Sequence, residues 1–157
     1  MVSVVVWDGS SRNWLLYENQ KSHPISSSLG AISAYIHGTA ASPFETAYKV
    51  ARQLISAPLP EADPSNIDPT ISQSGRVPPG YSNWTFLGAF RNHPDYGGGD
   101  TFAYLLQIDN KSFVSNVARK VAMSELSDLL SSDTLTVPLA EAATFSLAML
   151  HINGSSK

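Results

Sequence analysis

Ser42-Pro43-Phe44-Glu45-Thr46-Ala47-Tyr48-Lys49-Val50-Ala51-Arg52-Gln53-Leu54-Ile55-Ser56-Ala57 is the stretch on which the fold turns. Ser42 offers the side-chain oxygen that a helix N-cap needs to satisfy an otherwise unpaired first-turn amide. Pro43 follows at the first helical position, where its fixed φ fits and its missing N–H is not needed. Glu45 falls three residues after the cap and completes a Ser-x-x-Glu capping box. Phe44, Ala47, Tyr48, Ala51, Leu54 and Ile55 recur at helical spacing and form one apolar stripe. Pro58 ends the pattern. The sequence therefore predicts an amphipathic helix over Pro43 to Ala57.

Upstream, Val2 to Trp7 is apolar and largely β-branched. Asp8-Gly9-Ser10-Ser11 is a turn cluster, and Asn13-Trp14-Leu15-Leu16-Tyr17-Glu18 resumes strand character. Together they read as a hairpin. Leu29 to Ile36 is a further short strand-like segment. Downstream, residues 58–83 hold six of the ten prolines (Pro58, Pro60, Pro64, Pro69, Pro78, Pro79). That stretch is polar, without hydrophobic period, and reads as a long inserted loop. Trp84 to Arg91 and Thr101 to Asp109 are two strong strands around the glycine-rich loop Asn92 to Asp100. Ala118 to Met123 is a short strand, and Ser124 is placed to cap a short helix, Glu125 to Leu130. Pro138 opens a last helix, whose expected buried stripe is Leu139, Ala142, Ala143, Ser146, Leu147 and Leu150. Strands interleaved with helices predict one α/β sandwich over residues 1–157, with a proline-rich insertion at 58–83.

The chain has 157 residues and a net charge of −3. With no basic excess to neutralise phosphates, general binding to nucleic acid is not expected. There are no cysteines, which removes disulfides, thiolate catalysis and Cys-based zinc sites. No apolar run reaches the roughly 18 residues of a membrane span. The opening residues read as a strand and not as a signal peptide. The compartment is left open by the sequence, with a soluble intracellular or organellar protein in view. Charged residues make up only 15%, against about 25% in an average protein. That composition suits a chain that rests against protein partners, and it also suits an ordinary neutral enzyme.

The order of these elements resembles the Nudix fold, and most closely its ADP-ribose or ADP-sugar pyrophosphatase branch. The resemblance covers nearly the whole chain. Gly38 through Pro60 occupies the place of the Nudix box, a Gly, five residues, a Glu, seven residues, then Arg-Glu-aliphatic-x-Glu-Glu-x-Gly-aliphatic. Trp84 to Phe90 is similar to the strand before the family's catalytic loop, and Asp100 to Leu105 to the acid and strand after it. The resemblance implies a Nudix-like α/β/α sandwich with a mixed sheet. Counted from Gly38, Arg52 and Leu54 fit their slots. Phe44 takes the first Glu position, Gln53 the next, and Ser56 and Ala57 the paired Glu-Glu; Leu59 replaces the final Gly.

Nudix enzymes split a diphosphate with Mg²⁺ or Mn²⁺, and such hard cations need oxygen ligands from neighbouring carboxylates. A serine is a weak neutral ligand and an alanine is none. The expected reading is a catalytically inactive Nudix-like domain with no metal or other cofactor. It would act as an assembly subunit and contact its partners through loop 58–83. Two alternatives stand beside it. A rebuilt Mg²⁺-dependent pyrophosphatase would use Glu45, Asp95 and Asp100 as its catalytic acids. A non-hydrolysing nucleotide-binding module would use Arg52, Arg91, His93 and Tyr96 as ligand contacts.

Each candidate also has a plain structural role. Glu45 serves the capping box. Arg52 suits the negative end of the helix dipole. Asp95 and Asp100 suit turn geometry beside Gly97-Gly98-Gly99. The four histidines form no i, i+4 pair, so they suggest no metal centre. Trp7, Trp14 and Trp84 lie in strands, as packing residues. Tyr81 and Tyr96 lie in loops, and the sequence does not decide whether they stack on a nucleotide, dock a partner or do neither.

Overall fold

A computed structural model describes residues 1–19, 28–34, 36, 42–54, 75–91, 99–108, 117–131 and 139–155. Its first strand, β1 (Val2–Asp8), is buried at every position. That explains why it reads as a run of valines: a strand covered on both faces has no solvent side to alternate with. On one side β1 pairs in parallel with β6 (Asp100–Ile108), from Val2↔Phe102 to Asp8↔Ile108. On the other side it divides. Val6 to Asp8 pair antiparallel with β2 (Asn13–Asn19), closing the expected hairpin. Val2 to Val4 pair antiparallel with β4 (Ile32–Ala34).

The segment expected as one strand over Leu29 to Ile36 is therefore two. β3 (Ser28–Gly30) pairs with the far half of β2, and β4 pairs with β1. The break at Ala31 is where the chain changes from one neighbour to the other.

β5 (Trp84–Arg91) pairs antiparallel with β6, and a bulge shifts the register between Phe86 and Gly88. Gly88 has φ 140°, a value open to glycine and strained for other residues. β7 (Val117–Ala122) pairs antiparallel with β2. The sheet is thus mixed, with β3-β2-β1-β6-β5 along its main path.

Alternation along β1 and β6 supplies both layers of core. Val2, Val4, Val6, Tyr104, Leu106 and Ile108 face α1 (Pro43–Leu54), which buries Phe44, Ala47, Tyr48 and Ala51. Val5, Trp7 and Leu105 face the opposite layer. There α2 (Met123–Ser131) contributes Leu126, and α3 (Leu139–Ser155) contributes Phe145, Ala148 and Ile152. The result is the expected α/β/α sandwich. Trp7, Trp14 and Trp84 are all buried packing residues.

Three helix details depart from expectation. The Ser42 cap is made, with the Glu45 N–H donating to Ser42 Oγ at 3.0 Å. The reciprocal half of the box gives way, because the Glu45 carboxylate turns forward to Lys49 Nζ at 2.8 Å. α2 begins at Met123, so Ser124 lies inside its first turn and is not the cap. α3 is rotated from its expected stripe: Leu147 is 37% and Leu150 69% exposed, while Phe145 and Ala148 are buried. Glu141 is the one charged residue of α3. Both faces therefore read as apolar, and periodicity alone cannot orient the helix. Phe145 decides it by meeting Trp14 edge-on, with ring centroids 6.3 Å apart.

Candidate functional site

The residues singled out for chemistry belong to α1 and to the β5–β6 hairpin. Glu45 sits in the first turn of α1, its side chain only 14% exposed, and is held by Lys49 in an i, i+4 ion pair. Arg52 lies in the last turn. Its guanidinium stands 5.6 Å from the centre of the Tyr48 ring and donates to the Tyr48 hydroxyl at 3.4 Å. Local helix geometry thus engages both residues one turn along.

Arg91 and Asp100 are register partners at the mouth of the β5–β6 hairpin. Arg91 Nε lies 3.5 Å from Asp100 Oδ1, and both side chains are well exposed, at 84% and 55%. The Met1 amino group donates to the Asp100 carbonyl at 3.1 Å. Burial lowers the pKa of that amino group, and the nearby Asp100 charge partly opposes the shift. Asp95, His93 and Tyr96 lie outside the described residues, as do Ser56, Ala57 and residues 58–74 of the proline-rich loop.

Glu45 and Asp100 each carry their own cationic partner, Lys49 and Arg91. Among the described residues no group of three or more His, Asp or Glu side chains is arranged to hold a metal ion. The space beneath α1 is filled instead by aromatic rings. Phe44 packs edge-on against Tyr81 at 4.9 Å, Trp84 at 5.3 Å and Tyr104 at 5.9 Å. Tyr81 also meets Tyr48 at 5.8 Å. Tyr81 is only 4% exposed, so it belongs to the core and does not present itself to a ligand or partner.

The described end of the proline-rich loop, residues 75–83, is fastened to this aromatic layer. The Tyr104 hydroxyl donates to the Gly75 carbonyl. Burial pushes the Tyr104 pKa far above its ordinary value, which keeps the donor protonated. Gly75 has φ 85°, and a Cβ there would lie 2.8 Å from the Phe102 ring. Gly75 and Tyr104 were not foreseen from the sequence. Their contact spans 29 residues, and no local pattern reports such a pairing.

Two further buried polar groups on this face, the Tyr17 hydroxyl and the Trp84 indole N–H, have no hydrogen-bond partner among the described residues; Ser3 Oγ is in the same state. Burial pushes the Tyr17 pKa up to about 12. No helix of the described residues is long and apolar enough to cross a membrane.

No family model matches the chain, and no curated protein does. A solved structure is similar in fold, the NUDIX domain of Shewanella oneidensis NrtR complexed with ADP ribose. The two agree with a TM-score of 0.61 at 15% sequence identity, over 96% of this chain and 86% of that one. At such low identity the likeness bears on fold alone, and the fold is Nudix-like.

Proposed function

We propose that the chain is a non-catalytic Nudix-like domain that serves as a structural subunit of a larger protein assembly. The observation that carries this reading is the chemistry of α1. Ser56 and Ala57 stand where a Nudix box places its paired acids. The acid that remains in α1, Glu45, is neutralised by Lys49. Phe44, in the first acid position, is 1% exposed and turned into the aromatic layer. A divalent cation needs several oxygen ligands together, and hydrolysis of a diphosphate needs that cation to activate water. The contact arm expected over 58–83 is narrowed, since Tyr81 and Gly75 are used within the domain's own core. α3 adds an outward face with Leu147 and Leu150 in solvent.

The test is calorimetry with Mg²⁺ and Mn²⁺, alongside turnover of ADP-ribose. Neither metal binding nor turnover is expected. Metal-dependent turnover that disappears in Glu45→Gln would overturn the reading in favour of a rebuilt pyrophosphatase using Glu45, Asp95 and Asp100. The assembly role predicts that the native protein migrates in extracts of its own cells as a species much larger than a monomer. Migration as a monomer counts against it.

A second reading has a specific observation in its favour. The similar NUDIX domain is complexed with ADP ribose, and the Arg91 side chain here, though paired with Asp100, is 84% exposed, where a phosphate can compete for it. In that reading the domain binds a nucleotide without cleaving it, through Arg52, Arg91, His93 and Tyr96. Binding of ADP-ribose that weakens in Arg91→Gln supports it. No binding at millimolar nucleotide removes it.

A further inference from the structure

Trp14 is fully buried at the centre of the layer between the sheet and helices α2 and α3. It lies 4.8 Å from Trp7 and meets Phe145 of α3 edge-on. An indole N–H is a donor only, and leaving it unpaired in a core is costly. Its acceptor is the thioether of Met123, with Trp14 Nε1 to Met123 Sδ at 3.4 Å. Met123 is the first residue of α2, directly after the last residue of β7. It packs against the buried cluster yet remains partly exposed. The chain has no cysteine and three methionines, Met1, Met123 and Met149. No thiol therefore competes for a small oxidant, and Met123 is the sulfur that carries a structural hydrogen bond.

We propose that Met123 is a reversible oxidation site, and that its conversion to the sulfoxide by a hydroperoxide loosens the seating of α2 on the sheet. In this step a sulfur lone pair attacks one peroxide oxygen. The S–O bond forms and the O–O bond breaks. The second oxygen leaves as water from hydrogen peroxide, or as the alcohol from an organic hydroperoxide, taking the proton from the transferred hydroxyl. The sulfide is oxidised by two electrons and the peroxide is reduced. The product replaces a flexible apolar group with a polar one.

Geometry makes that change matter. An added oxygen cannot fit between two atoms already in hydrogen-bond contact. If it faces the indole, it forces ring and helix apart. If it faces solvent, the Trp14 N–H is left against an electron-poor sulfur that accepts weakly. Either way the direct N–H···S contact that seats the start of α2 on the core is lost. The effect extends toward α3 through the Trp14–Phe145 contact. It requires neither a metal nor a nucleotide, so it stands apart from the function proposed above.

The test treats the intact chain with hydrogen peroxide, using a short methionine peptide as the reference. Peptide mass spectrometry locates added oxygen, and hydrogen exchange reads α2. Met123 is expected to oxidise over the same peroxide range as the reference. Exchange of the α2 amides should then quicken by about tenfold or more, and methionine sulfoxide reductases should reverse it. The Met149→Leu variant should respond in the same way, while Met123→Leu, which keeps the packing without the sulfur, should not. The proposal is overturned if Met123 stays unoxidised when the reference is consumed, or if the Met123-oxidised protein exchanges like the reduced one. These two wild-type outcomes decide it even where a variant fails to fold. Quickened exchange in folded, peroxide-treated Met123→Leu overturns it as well.

Discussion

The Tyr104 hydroxyl, on the central parallel pair of the sheet, donates to the Gly75 carbonyl at the end of the proline-rich insertion. This bond joins the sheet to residues 75–83, which form no helix or strand. Tyr104→Phe keeps the ring and leaves the buried carbonyl unpaired, which should cost about 1–3 kcal/mol. Urea denaturation should show a lower midpoint with an unchanged slope. Gly75→Ala should cost at least as much, because it adds a strained φ to a clash with Phe102. A neutral result for both would mean that residues 75–83 are not fastened as described.

The two ends of the capping box should separate on mutation. Ser42→Ala removes the oxygen that accepts the Glu45 amide, at a cost of about 1 kcal/mol. Glu45→Gln removes an i, i+4 pair with an exposed lysine, worth about 0.3–0.5 kcal/mol. Thermal melts of the two variants should therefore rank Ser42→Ala as the less stable. The reverse order would point to a role for the Glu45 carboxylate beyond Lys49.

Asp8 makes stability depend on pH. Burial at the end of β1 would raise its pKa, but hydrogen bonds from the Ser10 and Ser11 hydroxyls and from the backbone outweigh that and hold it below the ordinary aspartate value. The folded pKa lies below the unfolded one, so the unfolded chain takes up the proton first as acid is added. The stabilisation is fully present above the unfolded pKa and is lost as pH falls through the folded one. Asp8→Asn should be clearly less stable than the wild type at pH 7. The gap should narrow as pH falls below about 4. Urea midpoints across that range measure it, and a constant gap would contradict the assignment.

The outward and inward faces of α3 should answer differently. Phe145→Ala empties a site packed on Trp14 and should cost about 3–5 kcal/mol. Leu150→Ser changes a side chain that is 69% exposed and should move stability by no more than about 0.5 kcal/mol. Denaturation midpoints decide it. A large loss in Leu150→Ser would show that this face is covered.

What was legible in the sequence follows from how local each signal is. The Ser42 cap, the Phe44 to Ala51 stripe and the valine run of β1 are written within one or two turns or one strand, and each is found where the pattern placed it. α3 misled because Leu147 and Leu150 form as good a stripe as Phe145 and Ala148, and only contact with Trp14 chooses between them. Tyr81 looked available because loops usually face solvent; its ring is instead claimed by Phe44 and Tyr48 across a long sequence separation. For the site, placing Ser56 and Ala57 in the paired-acid positions rests on counting from Gly38, and both residues lie outside the described ones. The Glu45–Lys49 pair was not among the expectations, because the capping box claimed Glu45, although the i, i+4 spacing of opposite charges carries the signal. The Arg91–Asp100 pair follows from the hairpin register, which a sequence shows only approximately.

β1 has a consequence for how the chain comes together. Its partners on one side arrive early, from residues 13–15 and 32–34, but its whole other side waits for residues 102–108. During synthesis, the fully buried strand β1 is therefore half-sheathed until residues 102–108 have been made. Contacts so distant in sequence close slowly, and an unsheathed strand edge invites wrong pairing in the interval. The molecule should thus depend on chaperones that shield nascent chains, and fragments ending before β6 should aggregate.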